Sequence, residues 1–351
     1  MIQNSAVRNP AAELEGMVLE GGWKVGPLLP RNPNATGGTF CQCYKVRNEN
    51  GEEAFLKALD FQAAFTKGTD FIQKITILFN FERDLLEICG RKGMDRVVRA
   101  IGSGSVLRNP NNPFDLVPYL IFEAATGDIR LHLDQEEDSK SIAWKLRAIH
   151  HVAVGLKQLH TSEIAHQDLK PSNVLVFYVR DLLSVSKIAD LGRASRSGVP
   201  SPYDDDAWAG DRSYAPPEIM YGYLDPDWSR RRIAADLYML GGLISFIFVQ
   251  TTSVASLLQN LQLPFWPGNW GKSFPEVLPY LMNAFSEAAR LFDERIPEKL
   301  QPDLRTLYEM LCNPDPSKRV PRNVPVNKNS LEKILSNLDL LAARAEAGRY
   351  D

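Results

Sequence analysis

Cysteine is scarce in this sequence: four residues in 351, at Cys41, Cys43, Cys89 and Cys312. No two of them have a metal-ligand spacing, so neither a zinc site nor a disulfide framework is expected, and a reducing cytosol is the simplest setting. A surplus of one charge is also missing. The formal net charge is -3, which gives no electrostatic reason to expect nucleic acid or an anionic membrane as a partner. Long apolar runs are absent too. The most hydrophobic stretch, Leu237 to Val249, is too short to span a bilayer and reads as a buried core helix. The first residues, MIQNSAVRNPAAELEG, lack the apolar segment of a secretory leader. A cytoplasmic chain of one large domain or two lobes is the expectation.

What is present falls into two regions. Residues 1–20 read as a polar N-terminal tail or short helix. Three strand-like runs follow, WKVGPLL, TFCQCYKV and EEAFLKAL, separated by turn-rich PRNPNATGG and RNENGE. A long segment, FIQKITILFNFERDLLEICGRK, has apolar residues at helical spacing, including Phe81, Leu85 and Ile88. DRVVRAIG (95–102) and VPYLIFEAA (117–125) read as two further strands. Residues 21–125 are therefore expected to form a small antiparallel sheet with one main helix. Residues 126–351 read mainly as helix, with short strands at NVLVFYV and VSKIADL. The fold class is α+β, with two lobes joined near 123–128.

The chemistry starts at AHQDLKPSNVLVF, Ala165 to Phe177. Asp168 and Asn173 stand five apart in a loop before an apolar run. There the carboxylate can accept a hydroxyl proton and the amide oxygen can hold a divalent cation. That spacing alone is common. A second carboxylate, Asp190 in KIADLG, ends the next apolar run, where it is placed to hold Mg²⁺ against phosphates. Two other features carry nothing. GNWGKS (268–273) has Trp266 where a phosphate loop needs glycine, and the adjacent His150 and His151 face different ways on a helix.

Taken in order, these motifs resemble the eukaryotic-like (Hanks-type) serine/threonine protein kinase family, in a divergent form. HQDLKPSN is similar to the H-R-D-x-x-x-x-N catalytic loop, DLG (190–192) to D-F-G, and PPE (216–218) to A-P-E. AADLYMLGG resembles the buried helix after that segment, with Asp236 at its acidic position. DPSKR supplies Arg319, which in the family pairs with the glutamate matched here by Glu218. FLK (55–57) resembles the A-x-K strand, and ERDLLEI offers Glu82 as partner of Lys57. The match covers nearly the whole chain.

The resemblance implies a bilobal kinase-like fold with lobes at 21–125 and 126–351. It also implies ATP with Mg²⁺, or Mn²⁺ in its place, and protein substrates bearing serine or threonine. Asp168 and Lys170 would be catalytic, and Lys170 is the lysine that tyrosine kinases lack there. Asn173 and Asp190 would hold the metal. Lys57, Glu82, Gly37, Gly38, Cys43, Glu123, Ala125 and Leu175 would line the ATP site, with Phe122 at its back. His166, Glu218, Asp236 and Arg319 would be structural supports. No further domain is recognised, and a compact unit with thinned motifs is expected from a microbe.

Three departures bear on function. Only Gly38 of the three family glycines survives in TGGTFCQCYKV; Thr36 and Cys41 replace the others, and Phe40 keeps the loop tip. Phe55 occupies a small-residue position over adenine, so it must turn away or narrow the pocket, and weak or unusual nucleotide binding is expected. Gln167 replaces the arginine that grips a phosphorylated activation segment, and Asp211 stands where many relatives carry threonine. With YDDD (203–206) already acidic, phosphorylation of Ser195, Ser197, Ser201 or Ser213 is expected not to be the switch. Two alternatives remain open: a pseudokinase scaffold, and a small-molecule phosphotransferase of related fold.

Overall fold

Alternation along one strand organises the first of two units. The computed structural model describes residues 9–30, 40–65, 67–134, 141–180, 183–204, 210–319 and 330–350. The first unit takes in residues 1–93 and 98–125, the second 94–97 and 126–351. In the strand Glu53–Leu59, Ala54, Leu56 and Ala58 are buried, while Phe55 and Lys57 point to the opposite face. The buried set packs with Tyr44, Val46, Val117, Tyr119 and Ile121 into one core.

The sheet of this unit is antiparallel and six-stranded, in the order Val18–Leu19, Trp23–Leu28, Cys41–Arg47, Glu53–Leu59, Leu116–Glu123, Ala100–Leu107. The helix Thr69–Arg91 buries Ile75, Phe79, Glu82, Leu85, Leu86 and Cys89. That set recurs at three and four residues, one stripe of a helix.

Two sequence expectations are corrected here. The stretch 9–20 is not a tail: Ala11, Leu14 and Leu19 are buried in the core, and the Tyr44 hydroxyl donates to the Ala11 carbonyl at 2.6 Å. Its three apolar residues follow no single period, so no pattern announced them; residues 1–8 lie outside the described residues. The strand expected at 95–102 is instead Ala100–Leu107. Gly102, Ser103, Gly104 and Ser105 hide its alternation. A Cβ on Gly104 would sit 2.7 Å from the Tyr119 hydroxyl, so close packing on the neighbouring strand requires glycine.

The second unit is built on helices. Ala234–Val249 is buried along almost its whole length. By length and composition the run Ser229–Val249 could cross a membrane, yet 83% of its most apolar window is buried inside the protein, as for a core helix. Ile142–Thr161 starts at Ser141, whose hydroxyl accepts from the Trp144 N–H. It packs against Ser330–Glu346, with Arg147 paired to Asp339 and Glu346. Three strands, Leu183–Ile188, Val174–Arg180 and Gly127–Asp128, form one antiparallel sheet. Ile164–Ala165 pairs with Ser195–Arg196 in a second. These short strands fix the loops on either side of them, and those loops carry the candidate residues.

Candidate active site

Each unit carries its own group of polar residues. In the first, Lys57 Nζ lies 2.9 Å from both carboxylate oxygens of Glu82. Strand alternation turns Lys57 off the core face, and the buried stripe of Thr69–Arg91 presents Glu82 to it. A flexible ammonium is thereby held at one point. Cys43 sits directly across the strand pair from Lys57, on the same face.

Phe55 does not turn to the other face. It pairs with Lys45 on one side and Phe122 on the other, two residues from Lys57 and on the same side of the sheet. Phe40 packs edge-on against Phe71 at 4.8 Å, with the Lys67 ammonium over both rings. The Glu123 N–H donates to the Arg99 carbonyl, so a ligand contact from this residue would come from its carbonyl. Ala125 is the last residue of the first unit. Gly37 and Gly38 lie outside the described residues.

In the second unit the loop after Ile164–Ala165 carries Asp168. Burial raises its carboxyl above the ordinary range; nearby Lys170 pulls it down, and Asp190 adds to the rise. Lys170 Nζ lies 3.1 Å from Asp168 Oδ2 and 3.6 Å from Asp211 Oδ2. Asn173 donates from Nδ2 to the Asp168 carbonyl at 2.8 Å and to Oδ2 at 3.1 Å. The Asp211 N–H donates to Oδ1 at 2.9 Å. A Cβ on Gly210 would come within 2.4 Å of the Gln167 carbonyl, so only glycine lets the segment approach this closely.

His166 links the two acidic positions. Its Nδ1 accepts from the Asp168 N–H at 3.2 Å and its Nε2 bonds the Ala189 carbonyl at 3.0 Å, the tautomer with the proton on Nε2. The next residue, Asp190, has φ 63°, a left-handed conformation that aspartate tolerates better than most residues. Leu175 is half-buried on Val174–Arg180, opposite Lys187 and Asp128.

Asp236 holds the loop from below. It accepts the backbone N–H groups of His166 and Gln167, both at 2.8 Å, and His160 Nε2 at 2.8 Å. Burial alone would raise its carboxyl, but these hydrogen bonds and the nearby histidines outweigh that and hold it below the ordinary range. Arg319 pairs with Glu218 at 2.5 Å and donates to the Ala234 carbonyl at 2.8 Å.

The structure thus brings Lys57 and Glu82 together in one unit, and Asp168, Lys170 and Asn173 in the other. It also adds groups that the sequence did not identify, His160, Gly210 and Arg232, and gives Asp204 of the acidic YDDD run a specific partner in Arg232. Arg232 stands four residues before Asp236, a helical interval that could have marked it. His160 and Gly210 left no signal, because their partners are distant in sequence.

The serines of the segment differ in exposure. Ser195 and Ser201 are buried; the Ser195 hydroxyl donates to Asp204 and the Ser201 hydroxyl to the Val199 carbonyl. They serve as structural bonds and are closed to a modifying enzyme in this conformation. Ser213 is exposed and Ser197 half-buried.

An antiparallel β unit with one long helix, followed by a mainly helical unit, is the bilobal α+β fold of a protein kinase. Comparison with known proteins agrees. The protein kinase domain family matches residues 37–328, and the chain belongs to that family. The chain is similar to cyclin-dependent kinase G1 of Arabidopsis thaliana, 26% identical over 257 residues, 68% of this chain and 37% of that protein. It is 34% identical over 180 residues to cyclin-dependent kinase E-1 of the same plant, 47% of this chain and 35% of that protein. Serine/threonine-protein kinase dkf-1 of Caenorhabditis briggsae is 29% identical over 213 residues, 56% of this chain and 27% of that protein. The matches span about a third of the length of these relatives.

Proposed function

We propose that this chain is an ATP-dependent protein kinase that phosphorylates serine or threonine. The observation that carries the reading is the Lys170 ammonium 3.1 Å from the Asp168 carboxylate, beside Asn173. The substrate hydroxyl oxygen bonds to the γ-phosphorus as the bond to the bridging oxygen breaks. Its proton passes to Asp168, and Lys170 offsets charge on the moving phosphoryl group. Lys57, fixed by Glu82, positions the phosphates. The Asn173 amide oxygen and the Asp190 carboxylate are hard oxygen donors that would hold Mg²⁺ or Mn²⁺. Bound there, the ion neutralises phosphate charge.

Gln167 in place of arginine, and the buried Ser195 and Ser201, support a kinase not switched by segment phosphorylation. Phe55 on the Lys57 face favours a second reading, a pseudokinase with weak nucleotide binding.

Labelled ATP and Mg²⁺ with a panel of protein acceptors test the reading. Transfer to serine or threonine, reduced by about 10²-fold or more in Asp168→Ala and in Lys57→Ala, is the expected result. Nucleotide binding without transfer would select the pseudokinase. Transfer only to added small molecules would select the phosphotransferase. The double variant Ser197→Ala/Ser213→Ala is expected to keep its activity, and near-total loss would overturn the phosphorylation-independent reading.

A further inference from the structure

Gln167 is buried at a left-handed backbone position, φ 65°. Both ends of its amide are used. Nε2 donates to the Arg232 carbonyl at 2.8 Å and to Asp236 Oδ1 at 3.0 Å, and Oε1 accepts from Arg232 Nη1 at 3.3 Å. Arg232 belongs to a π-helical turn, Ser229–Ile233, just before the buried helix. Such turns are rare and often mark functional sites. Arg232 is 4% exposed, and its Nη2 reaches Asp204 Oδ1 at 3.1 Å and the carbonyls of Tyr203 and Asp204 at 3.4 Å.

Asp204 gathers the segment. Its carboxylate accepts the Ser195 hydroxyl at 2.9 Å and the Ser201 N–H at 2.8 Å, and the Ser195 oxygen accepts the Trp228 indole N–H at 2.9 Å. Ser195 is also paired, strand to strand, with Ala165, the residue before His166. A continuous path runs from the loop bearing Asp168, through Gln167 and Arg232, to Asp204 and residues 195–204.

We propose that Arg232 is a positioning residue whose ion pair with the partly exposed Asp204 holds the segment in place, as a phosphorylated residue gripped by a loop arginine would. The inference rests on the kinase reading above. It explains Gln167. A buried guanidinium must have a compensating charge, and Asp204 supplies it. An arginine at 167 would place a second cation beside the first and could not accept the Arg232 N–H. Glutamine does both jobs, donating and accepting without charge. Here the cation sits on the π turn and not on the loop, and its partner is a permanent carboxylate that needs no modification to carry charge.

The test uses full-length protein treated with phosphatase, in wild-type, Arg232→Gln, Asp204→Asn, Gln167→Arg and Gln167→Arg/Arg232→Gln forms. Asp204 is partly exposed, so Asp204→Asn removes charge at constant shape. Arg232→Gln and Asp204→Asn are expected to lower kcat about tenfold while KM for ATP stays within about twofold. The double variant, which returns a cation to the loop, is expected to recover to within about threefold of wild type. Hydrogen exchange at 195–204 gives a readout independent of activity: faster in Arg232→Gln and Asp204→Asn, restored in the double variant.

A double variant no better than its worse parent overturns the proposal. So does Arg232→Gln with normal kcat and unchanged exchange at 195–204 but a lower Tm, because Arg232 would then be a generic core residue. If wild-type protein transfers phosphate to no acceptor while exchange changes as stated, the kinase reading fails and the positioning role stands.

Discussion

Asp236 shows how one side chain decides the shape of a loop. Two backbone N–H groups, a histidine and the Gln167 amide converge on its buried carboxylate. Asp236→Ala would leave those donors buried and unmatched. It is expected to cost about 3–5 kcal/mol of stability, measured by urea unfolding; a loss under about 1 kcal/mol would mean that the loop holds itself. Phe55 makes a claim about ligand affinity. With its ring on the Lys57 face, Phe55→Ala is expected to lower the Kd for ATP several-fold, to be read by titration calorimetry. Weaker or unchanged binding would show that the ring does not crowd the nucleotide. Asp168, Lys57 and Glu82 were legible because HQDLKPSN, FLK and ERDLLEI resemble the family's ordered motifs. Arg232 was not, because nothing in its neighbours says that it faces a segment 28 residues earlier.

Among the elements, the helix Ile142–Thr161 carries a built-in acid sensitivity. Burial pushes His151 down to about 4, with Arg96, His150 and Arg147 adding repulsion, and its Nδ1 accepts the Ser186 N–H at 3.3 Å. The unfolded chain binds this proton near the ordinary histidine value of about 6.5. The unfolded state therefore gains protons first as pH falls, and stability is lost between about 6.5 and 4. His151→Gln keeps a neutral acceptor and is expected to flatten that loss in urea titrations at several pH values. Equal acid sensitivity in the variant would rule the residue out. The strand Ala100–Leu107 teaches a different lesson at this scale. Its glycines and serines erase the period-two signal, and its position is set by pairing with Leu116–Glu123.

At the scale of the whole molecule, segments near both ends of the described chain are parts of cores. Leu14 is buried in the first unit and Leu338 in the second. Leu14→Ala and Leu338→Ala are each expected to destabilise by about 2–5 kcal/mol, visible as a lower Tm, where an exposed leucine would give almost nothing. The sequence by itself determined the α+β class, the long helices, and the order of Lys57, Glu82, Asp168, Asn173, Asp190, Glu218, Asp236 and Arg319. The class and the helices follow from periodicity, and the ordered residues from their resemblance to the family's motifs, both of which a chain carries before it folds. Only the tertiary structure decided that residues 9–20 join the core, that Ser195 and Ser201 are closed, and that Gln167 is held by Arg232 and Asp204. Those facts depend on contacts between residues far apart in the chain. Such contacts come from packing and the pairing of buried charge, and no local pattern encodes them.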